Sequence, residues 1–229
     1  MKRLNHANRK NHNWLVYDIG DKYLNKYSKY YKGDLFDLGC GEAPFKDFFL
    51  KFCDSYTGVD WTKTFHDSKV DIVSNLNEKI ELDNEVADTL ISISVMEHLC
   101  EPQVFLNESF RILKKDGNFI LQVPWQWWIH EAPHDYFRYS PFALEYMFNK
   151  AGFSDIQIEA TSGFFTTWIL KMNYFSLNFI RGPKIIKWVI KIILNAVWYI
   201  SQKSAPYLDR LDKNWKAETQ GFFVVATKN

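Results

Sequence analysis

The chain contains little cysteine, glycine or proline, and it has almost no net charge. Its 229 residues include 3 Cys, 10 Gly and 7 Pro, and 28 Lys or Arg residues nearly balance 27 Asp or Glu residues. Cys40, Cys53 and Cys100 show neither metal-ligand spacing nor a paired framework, which favours a reducing, cytoplasmic location. A net charge of +1 gives no global attraction for nucleic acid, so we expect no nucleic-acid partner. The first residues, MKRLNHANRKNHNW, lack the apolar core of a signal peptide, and no secretory signal is expected.

Short apolar runs alternate with helical segments along most of the chain. We predict strands at 35–38, 56–60, 70–73, 88–94, 117–123 and 154–160, helices at 15–31, 44–52, 102–114 and 140–151, and a final antiparallel strand at 220–227. Strands that alternate with helices form a parallel sheet that is covered on both faces. The sequence therefore predicts an α/β fold with a doubly wound, mostly parallel sheet of seven strands.

About sixty residues separate the last two predicted strands, and two apolar helices are expected there. Residues 164–180 and 184–203 each form an apolar helix with a narrow polar stripe along one side. The stripe consists of Thr167, Lys171, Tyr174 and Asn178 in the first helix and of Lys187, Lys191 and Asn195 in the second. We predict a core of residues 1–163 and 218–229 with a helical hairpin inserted at 164–217.

Three environments are open for this hairpin. It can pack against the core or a second copy of the chain as a homodimer contact. It can dock on a membrane surface through 164–203, which the flanking tryptophans and basic residues favour. It can also span a bilayer, although its second apolar run of about sixteen residues is shorter than the roughly 20 that spanning requires.

A strand-to-turn motif at residues 35–41, LFDLGCG, carries the most functional information. Glycines at 39 and 41 allow a tight turn and a close approach of a ligand to the backbone. Asp60 ends the next apolar segment and is placed to accept hydrogen bonds from both hydroxyls of a ribose. A dinucleotide site requires a further glycine where Pro44 stands, and the Asp37 carboxylate opposes a pyrophosphate. These features favour S-adenosylmethionine, which has an ammonium group, over NAD.

At this point the chain resembles the class I S-adenosylmethionine-dependent methyltransferases, and among them the type 11 methyltransferase domain family. The resemblance covers about 33–160 and the last strand, and it rests on DLGCG, on GVD at 58–60, on DTLISISVMEHL at 88–99 and on FRILKKDG at 110–117. It implies a Rossmann-like methyltransferase fold with S-adenosylmethionine as cofactor. One departure is Ala43, where the family often has glycine.

The resemblance also implies a set of cofactor-binding residues. Gly39 and Gly41 would lie under the cofactor, Asp37 would orient its amino acid end, Asp60 would hold the ribose, Asn75 would face the adenine amino group, and Trp61 and Leu76 would enclose the ring. Ser94 to His98 follow the fourth strand, where the methyl group should emerge. His98 is a candidate catalytic residue there, although a purely structural Glu97-His98 pair is the alternative.

The segment 123–140, VPWQWWIHEAPHDYFRYS, is expected at the carboxyl edge of the sheet, where such folds bind ligands. Its aromatic and polar residues suit a sugar or an aromatic acceptor, and the candidate substrate residues are Trp127, Trp128, His130, Asp135, Tyr136 and Arg138. His134 is a candidate general base, whether or not it pairs with Asp135. In the alternative interpretation Tyr136, Arg138 and Ser140 only attach the loop to the next helix. No metal site is predicted.

These observations predict an S-adenosylmethionine-dependent methyltransferase that acts by in-line methyl transfer. The chain lacks the Asn/Asp-Pro-Pro-aromatic tetrapeptide of many nucleic-acid amino-group methyltransferases, which favours an oxygen acceptor. The run HDYFRY resembles type 11 domains that occur with surface-polysaccharide enzymes and points to a small-molecule, glycan or lipid-linked acceptor. The alternative is a catalytically inactive module that binds the cofactor or docks on a membrane or partner. A docked hairpin would make the protein peripheral to the inner face of the membrane.

Overall fold

The computed structural model describes Leu4, His6 and residues 8–61, 70–212, 214 and 217–229. The chain divides into two compact units. The sheet unit contains residues 25–159 and 222–229, and the hairpin unit contains residues 1–24 and 160–221. The hairpin unit thus includes the first 24 residues, which the sequence-based boundaries assign to the core. Within the predicted insertion 164–217, residues 213, 215 and 216 lie outside the described residues.

Six α-helices and seven strands are present in the described part of the chain. The helices are α1 (Trp14–Lys26), α2 (Lys46–Phe49), α3 (Pro102–Ile112), α4 (Pro141–Ala151), α5 (Phe164–Ser176) and α6 (Lys184–Leu208). The strands are β1 (Asp34–Leu38), β2 (Ser55–Asp60), β3 (Ile72–Val73), β4 (Ala87–Ile93), β5 (Leu113–Pro124), β6 (Ser154–Ala160) and β7 (Gly221–Thr227). Short 3-10 helices occupy Ser28–Tyr30, Met96–His98, Leu177–Phe179 and Asp209–Leu211.

The seven strands form one sheet in the order β3-β2-β1-β4-β5-β7-β6. The pairs β2–β3, β1–β2, β1–β4 and β4–β5 are parallel. The start of β5 lies against the end of β7, where the Asp116 amide donates to the Lys228 carbonyl over 2.6 Å, so β7 runs antiparallel to β5. The predicted doubly wound, mostly parallel sheet is confirmed. Because β1, β2 and β4 are parallel neighbours, the turns that follow them meet at one edge of the sheet.

The central strands are apolar because both faces of the sheet are covered. Leu35, Leu38, Leu90 and Ile91 have no exposed surface. Aromatic side chains fill the layer on β5, where the Phe119 ring lies 5.9, 5.7 and 5.8 Å from the rings of Phe105, Phe148 and Phe153, measured between centroids. This packing fixes the framework from which the turns at the carboxyl edge project.

Two element boundaries near the site differ from the prediction. The helix predicted at 44–52 is regular only over Lys46–Phe49, because Ala43 adopts a left-handed φ of 51° and the Lys51 and Phe52 amides form 3-10 bonds to Phe48 and Phe49. The strand predicted at 117–123 begins at Leu113, directly after α3. Asp116, which lies between the predicted helix 102–114 and this strand, is part of a bulge inside β5, where the register with β4 shifts and Asp116 has a φ of 61°.

In the hairpin unit α5 and α6 pack against each other, with buried polar side chains between the elements. The Asp209 carboxylate accepts the Gly163 and Thr166 amides over 3.0 and 3.1 Å and so caps the start of α5. Trp198 Nε1 donates to Ser176 Oγ over 2.8 Å. Helix α6 continues beyond the predicted residue 203 to Leu208. Among the described residues one stretch, Lys184–Leu211, is long and apolar enough to cross a membrane by length and composition.

Candidate functional site

The turn after β1 requires glycine at two positions for two different reasons. Gly39 has a φ of +85°, and a Cβ placed on it would lie 2.4 Å from a methyl carbon of Val95. Gly41 has a φ of +52°, but a Cβ there would meet no atom within 4 Å. A side chain at Gly39 would therefore disrupt the packing, whereas a side chain at Gly41 would project into open space where a ligand can approach the backbone.

Asp60 connects this turn to the end of β2. Its Oδ2 accepts the Gly41 amide and its Oδ1 accepts the Trp61 amide, both over 2.6 Å. Each oxygen uses one lone pair in this way and keeps another for a ligand hydroxyl. The carboxylate is therefore held rigidly by the backbone and remains able to accept further hydrogen bonds.

Asp37 is buried at the end of β1, and it does not lie on the wall of the cavity described below. The Tyr56 hydroxyl donates to its Oδ2 over 2.6 Å. The pKa of the Asp37 carboxyl is raised to about 7, chiefly by burial and also by the nearby Asp60, while the hydrogen bond from Tyr56 opposes both effects. The predicted role of Asp37 toward the amino acid end of the cofactor stays a prediction.

A cavity of about 460 Å³ opens at this edge of the sheet unit. Its lining residues are Gly39, Gly41, Asp60, Trp61, Asn75, Leu76, Asn77, Ser94, Val95, His98, Leu99, Glu131 and His134. Nine of the sequence-predicted site residues meet here. The other predicted residues, Asp37, Trp127, Trp128, His130, Asp135, Tyr136 and Arg138, are not on the wall. Sequence reasoning missed Val95, Asn77, Leu99 and Glu131.

One wall consists of the residues predicted to contact an adenine ring. Leu76 is nearly buried, and the Trp61 side chain is 41% exposed. Asn75 is held in place because its Oδ1 accepts the Asn77 amide over 3.1 Å and its Nδ2 donates to Glu78 Oε1 over 2.8 Å. The wall thus offers one flat aromatic ring, one apolar side chain and one oriented amide.

The turn after β4 is strained at the cavity. Ser94 has a φ of 55°, which is unusual for a residue with a side chain, and its amide donates to the Gln122 carbonyl over 2.8 Å. Backbone strain of this kind often occurs at functional sites. The 3-10 helix that follows carries Glu97 and His98.

The two predicted catalytic histidines, His98 and His134, both line the cavity. His98 Nδ1 lies 2.7 Å from the His134 carbonyl oxygen, which can only accept, so this nitrogen carries the proton. The His134 ring lies 5.8 Å from the Trp61 ring, and its Nδ1 is 3.3 Å from the Tyr136 hydroxyl. Either imidazole therefore has a nitrogen available for chemistry, and the structure leaves their catalytic roles as predictions.

Asp135 pairs with Arg138 rather than with His134. The guanidinium donates to both carboxylate oxygens, over 2.5 and 2.8 Å, and holds the pKa of Asp135 well below its usual range. Arg138 also donates to the Trp128 carbonyl over 3.0 Å, and the hydroxyl of Ser140 accepts the Ala143 amide and caps α4. The bonds of Arg138 lie within the loop and only Ser140 joins it to α4, so the substrate role of Arg138 and the alternative interpretation both stay predictions.

The aromatic residues of the loop form a surface beside this pair. The rings of Trp127 and Trp128 are stacked with their centroids 4.1 Å apart, and Tyr136 is 46% exposed. Flat exposed rings of this kind suit the apolar face of a sugar or an aromatic ligand. Their role in substrate binding stays a prediction.

Glu97 has an environment that the sequence did not reveal. Its side chain has no exposed surface, and neither carboxylate oxygen has a hydrogen-bond partner. Burial raises the pKa of Glu97 to about 8. In the sequence, the adjacent pair Glu97-His98 was the only sign that Glu97 has a special environment. Its close approach to His130 depends on the folded conformation of the loop after β5.

Comparison with known proteins identifies the domain. A family model described as a methyltransferase domain, of type 11, matches residues 36–121. A probable S-adenosylmethionine-dependent methyltransferase of Mycolicibacterium smegmatis is 26% identical over 97 residues, which are 40% of this chain and 38% of that protein. The aligned part thus spans well under half of this curated relative.

Solved structures share the fold at low identity. A methyltransferase from Archaeoglobus fulgidus described as SAM-dependent superposes with a TM-score of 0.58 at 18% identity, covering 92% of this chain and 94% of its own. Phosphoethanolamine N-methyltransferase 2 of Haemonchus contortus, solved with S-adenosyl-L-methionine, gives a TM-score of 0.56 at 14% identity, covering 95% of this chain and 56% of its own. At these identities the likeness establishes the fold.

Proposed function

We propose that this chain, which belongs to the S-adenosylmethionine-dependent methyltransferases and carries a type 11 methyltransferase domain, methylates an oxygen of a small-molecule, glycan or lipid-linked acceptor. S-adenosylmethionine is the cofactor of this family. The observation that carries the proposal is the single cavity wall that brings together Gly39, Gly41, Asp60, Ser94 and His98. These residues come from the end of β2 and from the segments that follow its neighbours in the sheet, β1 and β4.

The described residues fit this cofactor. The cavity of about 460 Å³ falls within the range of about 300–1,000 Å³ that is usual for small-molecule sites. A Cβ on Gly41 would occupy open space at its edge, so the glycine leaves room for a ligand against the backbone. Asp60 retains lone pairs for ribose hydroxyls.

The residues divide into three groups by what they would hold. Asp60 and Gly41 would bind the ribose side, Asn75 and Leu76 the adenine, and Asp37, through its ionised form, the ammonium group. When bound, the cofactor supplies a methyl group on a positively charged sulfur that is its own leaving group. The task of the protein is then to position the acceptor oxygen in line and to exclude water.

An acceptor hydroxyl must lose its proton, and we assign this step to His134. His134 lines the cavity and is only partly buried, so an acceptor can reach its ring. Its neighbours are the Trp61 ring and the Tyr136 hydroxyl, and it does not depend on Asp135. The stacked Trp127 and Trp128 rings support a glycan or another flat ligand on the adjoining surface.

Calorimetry with S-adenosylmethionine tests the cofactor site. Asp60→Ala should lower the affinity severely, because it removes the acceptor for the ribose hydroxyls and frees the Gly41 amide. Asp71→Asn is a matched control, since Asp71 caps the Gly58 amide of the same strand but does not line the cavity. Equal weakening by both variants would mean that Asp60 acts only through stability, and the cofactor assignment of this carboxylate would be withdrawn.

Transfer of labelled methyl groups to fractionated cell extracts tests the acceptor class. Small-molecule, glycan and lipid fractions are compared with wild type and with His134→Gln, which should bind the cofactor normally and lose turnover. Label in an oxygen ether or ester supports the proposal, and label on nitrogen contradicts it. Cofactor binding without turnover on any fraction would favour the alternative of an inactive binding module.

We also propose that the hairpin docks on the inner face of a membrane. In α5 the polar stripe faces the rest of the unit at Thr167, which is buried, and at Tyr174, whose hydroxyl accepts from Asn13, whereas Lys187 and Lys191 of α6 are exposed. The apolar surface points outward: Ile185 and Trp188 of α6 are 77% and 64% exposed. A surface of this kind is typical of a lipid or protein contact.

The charge of α6 favours lipid over a protein partner. The helix contains Lys184, Lys187, Lys191 and Lys203 and no acidic residue. Each lysine near an anionic leaflet adds about 1 kcal/mol of attraction. A lipid-linked acceptor would then be presented at the same membrane surface, and the three cysteines, all free, agree with a cytoplasmic location.

Flotation with anionic vesicles tests the docking proposal. Wild type should float at low salt, and Lys187→Glu/Lys191→Glu should float less, because like charges repel the anionic surface. Lys79→Glu/Lys115→Glu changes the net charge equally in the sheet unit and should float as wild type does. If wild type stays off the vesicles and forms a stable dimer, the hairpin is a contact between copies and the docking proposal fails.

A further inference from the structure

The unpartnered Glu97 carboxylate faces two imidazoles. Glu97 Oε1 lies 3.7 Å from His98 Nε2 and 4.0 Å from His130 Nε2, and the three candidate ligand atoms all lie within 4.8 Å of one another. None of these separations is a hydrogen bond. Two nitrogens of partly exposed imidazoles and one oxygen of the buried carboxylate therefore lie around a common space without a hydrogen bond between them.

Both rings are held so that the nitrogen facing Glu97 carries a lone pair. His98 Nδ1 donates to the His134 carbonyl over 2.7 Å, and His130 Nδ1 lies 3.3 Å from the Trp128 carbonyl, which can only accept. Arg138 Nη2 is 3.5 Å from the same His130 nitrogen, but its two protons are donated to the Trp128 carbonyl and to Asp135 Oδ2 at shorter distances, so His130 Nδ1 carries the proton. With the proton on Nδ1, each Nε2 is free to act as a ligand. Partners of this kind commonly orient the histidine ligands of metal sites.

We propose that Glu97, His98 and His130 form a binding site for a transition-metal dication, with Zn²⁺ as the best match. Two histidines and one glutamate are a known ligand set for zinc that leaves a position open. Zinc bonds of about 2.0–2.2 Å at tetrahedral angles separate the ligand atoms by roughly 3.4 Å. The observed 3.7 and 4.0 Å exceed this by about 0.3 and 0.6 Å, and the two imidazole nitrogens lie within 4.8 Å of each other, so side-chain rotations would have to draw the three atoms together on binding.

The composition of the site selects among metals. Imidazole ligands suit Zn²⁺, Fe²⁺, Ni²⁺ and Cu²⁺, whereas Mg²⁺ and Ca²⁺ prefer sites built of oxygen atoms. A dication would also supply the positive charge that Glu97 lacks, because the nearby Arg138 guanidinium is already paired with Asp135. Glu131, whose Oε2 is 3.8 Å from His98 Nε2, lies within reach as a fourth ligand or beside an open position.

The location of the site suggests what the metal does. His98 and Glu131 also line the cavity, so an open coordination position would adjoin the bound acceptor. A metal there would bind the acceptor oxygen and ease the loss of its proton to His134. This consequence depends on the proposed methyltransferase function, whereas metal binding itself does not. With His98 as a ligand, His134 remains the base.

Metal content and affinity test the site without any turnover assay. The full-length protein is stripped with a chelator, and the binding of Zn²⁺ is measured by competition with a colorimetric indicator. Bound Co²⁺ should give the visible absorption bands of a low-coordinate site with nitrogen and oxygen ligands. Wild type should bind one Zn²⁺, and Glu97→Gln and His130→Gln should each lower the affinity more than about 100-fold, since loss of outer-shell partners alone costs roughly 10–100-fold.

His134→Gln provides the matched control. It removes an imidazole from the same loop but retains the carbonyl that orients His98, so zinc affinity should stay at the wild-type value. Unchanged affinity in both Glu97→Gln and His130→Gln would overturn the proposal and place any bound zinc on other histidines. Absence of one-to-one binding in wild type would overturn it equally. Cofactor calorimetry on the stripped protein reports separately on the methyltransferase assignment.

Discussion

The substitution Gly41→Ala separates cofactor binding from folding more cleanly than any other change in the cavity. It adds one methyl group at a position where a Cβ meets no protein atom within 4 Å. The backbone there has a φ of +52°, which costs an alanine about 1–2 kcal/mol. Reduced entropy of the unfolded chain returns about 0.4–1 kcal/mol of this cost. We therefore expect a net loss of about 1 kcal/mol and a fall in Tm of about 2–4 °C.

The same methyl group should abolish the close approach of the cofactor to the backbone. A ligand at about 100 times its Kd stabilises the folded state by about 2.7 kcal/mol. For a chain of this size that corresponds to a rise in Tm of roughly 5–10 °C, which wild type should show with S-adenosylmethionine. Gly41→Ala should show almost none of it.

Thermal unfolding with and without cofactor measures both effects, and two glycines serve as comparisons. Gly182→Ala has a higher backbone cost, because its φ of +100° lies outside the left-handed region near +60°, but its Cβ makes only an ordinary contact of 3.7 Å to Ile186, and it should keep the full cofactor shift. Gly39→Ala places its Cβ 2.4 Å from Val95 and should lose a further 1–3 kcal/mol or so from overpacking. A wild-type cofactor shift in Gly41→Ala would refute the assignment of this turn to the cofactor.

Three further predictions concern charge and capping. Because the pKa of buried Asp37 is raised to about 7, the folded state holds a proton that the unfolded chain releases near pH 4. As the pH rises from about 4 to 7 without cofactor, the free energy of unfolding of wild type should therefore fall by about 4 kcal/mol relative to that of Asp37→Asn, which denaturant titrations measure. Cofactor affinity should rise through pH 7 as Asp37 ionises, and Tyr56→Phe should displace that rise to higher pH, because it removes a hydrogen bond to the carboxylate; an unmoved profile would contradict the role of Asp37. Asp209→Ala leaves two buried amides without an acceptor at the start of α5 and should lower the free energy of unfolding by about 2–3 kcal/mol. Ser140→Ala removes the cap of α4 and should lower it by about 1 kcal/mol. Neither variant should change the cofactor affinity measured by calorimetry.

The parts of the site that sequence predicts are those fixed by a single strand and its turn. Gly39, Gly41 and Asp60 follow apolar runs that must be buried strands, and parallel neighbours bring their ends together. Spacing within one element therefore carries the information. Local backbone geometry is less accessible, since the left-handed φ of Ala43 has no glycine to announce it and the bulge at Asp116 depends on the register between β4 and β5.

Contacts made by the loop after β5 could not be read from its order of residues. Asp135 and Arg138 pair across three positions, and the pair removes Asp135 from His134 although the two are adjacent. Glu97 and His130 come within 4.0 Å although 33 positions separate them in the chain. Residue types suggested chemistry there, but only the folded loop decides which of them share a space.

The hairpin shows a different limit of periodicity. A stripe of polar residues on an apolar helix predicts two faces and leaves open which of them contacts the protein. Soluble proteins usually bury the apolar face, yet here Trp198 buries its indole nitrogen on Ser176 while the surrounding isoleucines of α6 are exposed. The orientation follows from the buried hydrogen-bonding groups, which must be satisfied within the unit.

The charges around the cavity link the cofactor and the metal to one physical requirement. Asp60 and Glu131 lie on the cavity wall, and the described lining residues include no Lys or Arg. Asp37 and Glu97 are buried carboxylates whose positions in the chain closely precede the lining residues Gly39 and His98. A buried carboxylate without a counter-charge costs several kcal/mol when ionised. The ligands best able to offset this cost are themselves cations. A sulfonium with an ammonium group would suit the end beside Asp37 and Asp60, and the dication proposed above would suit the end beside Glu97.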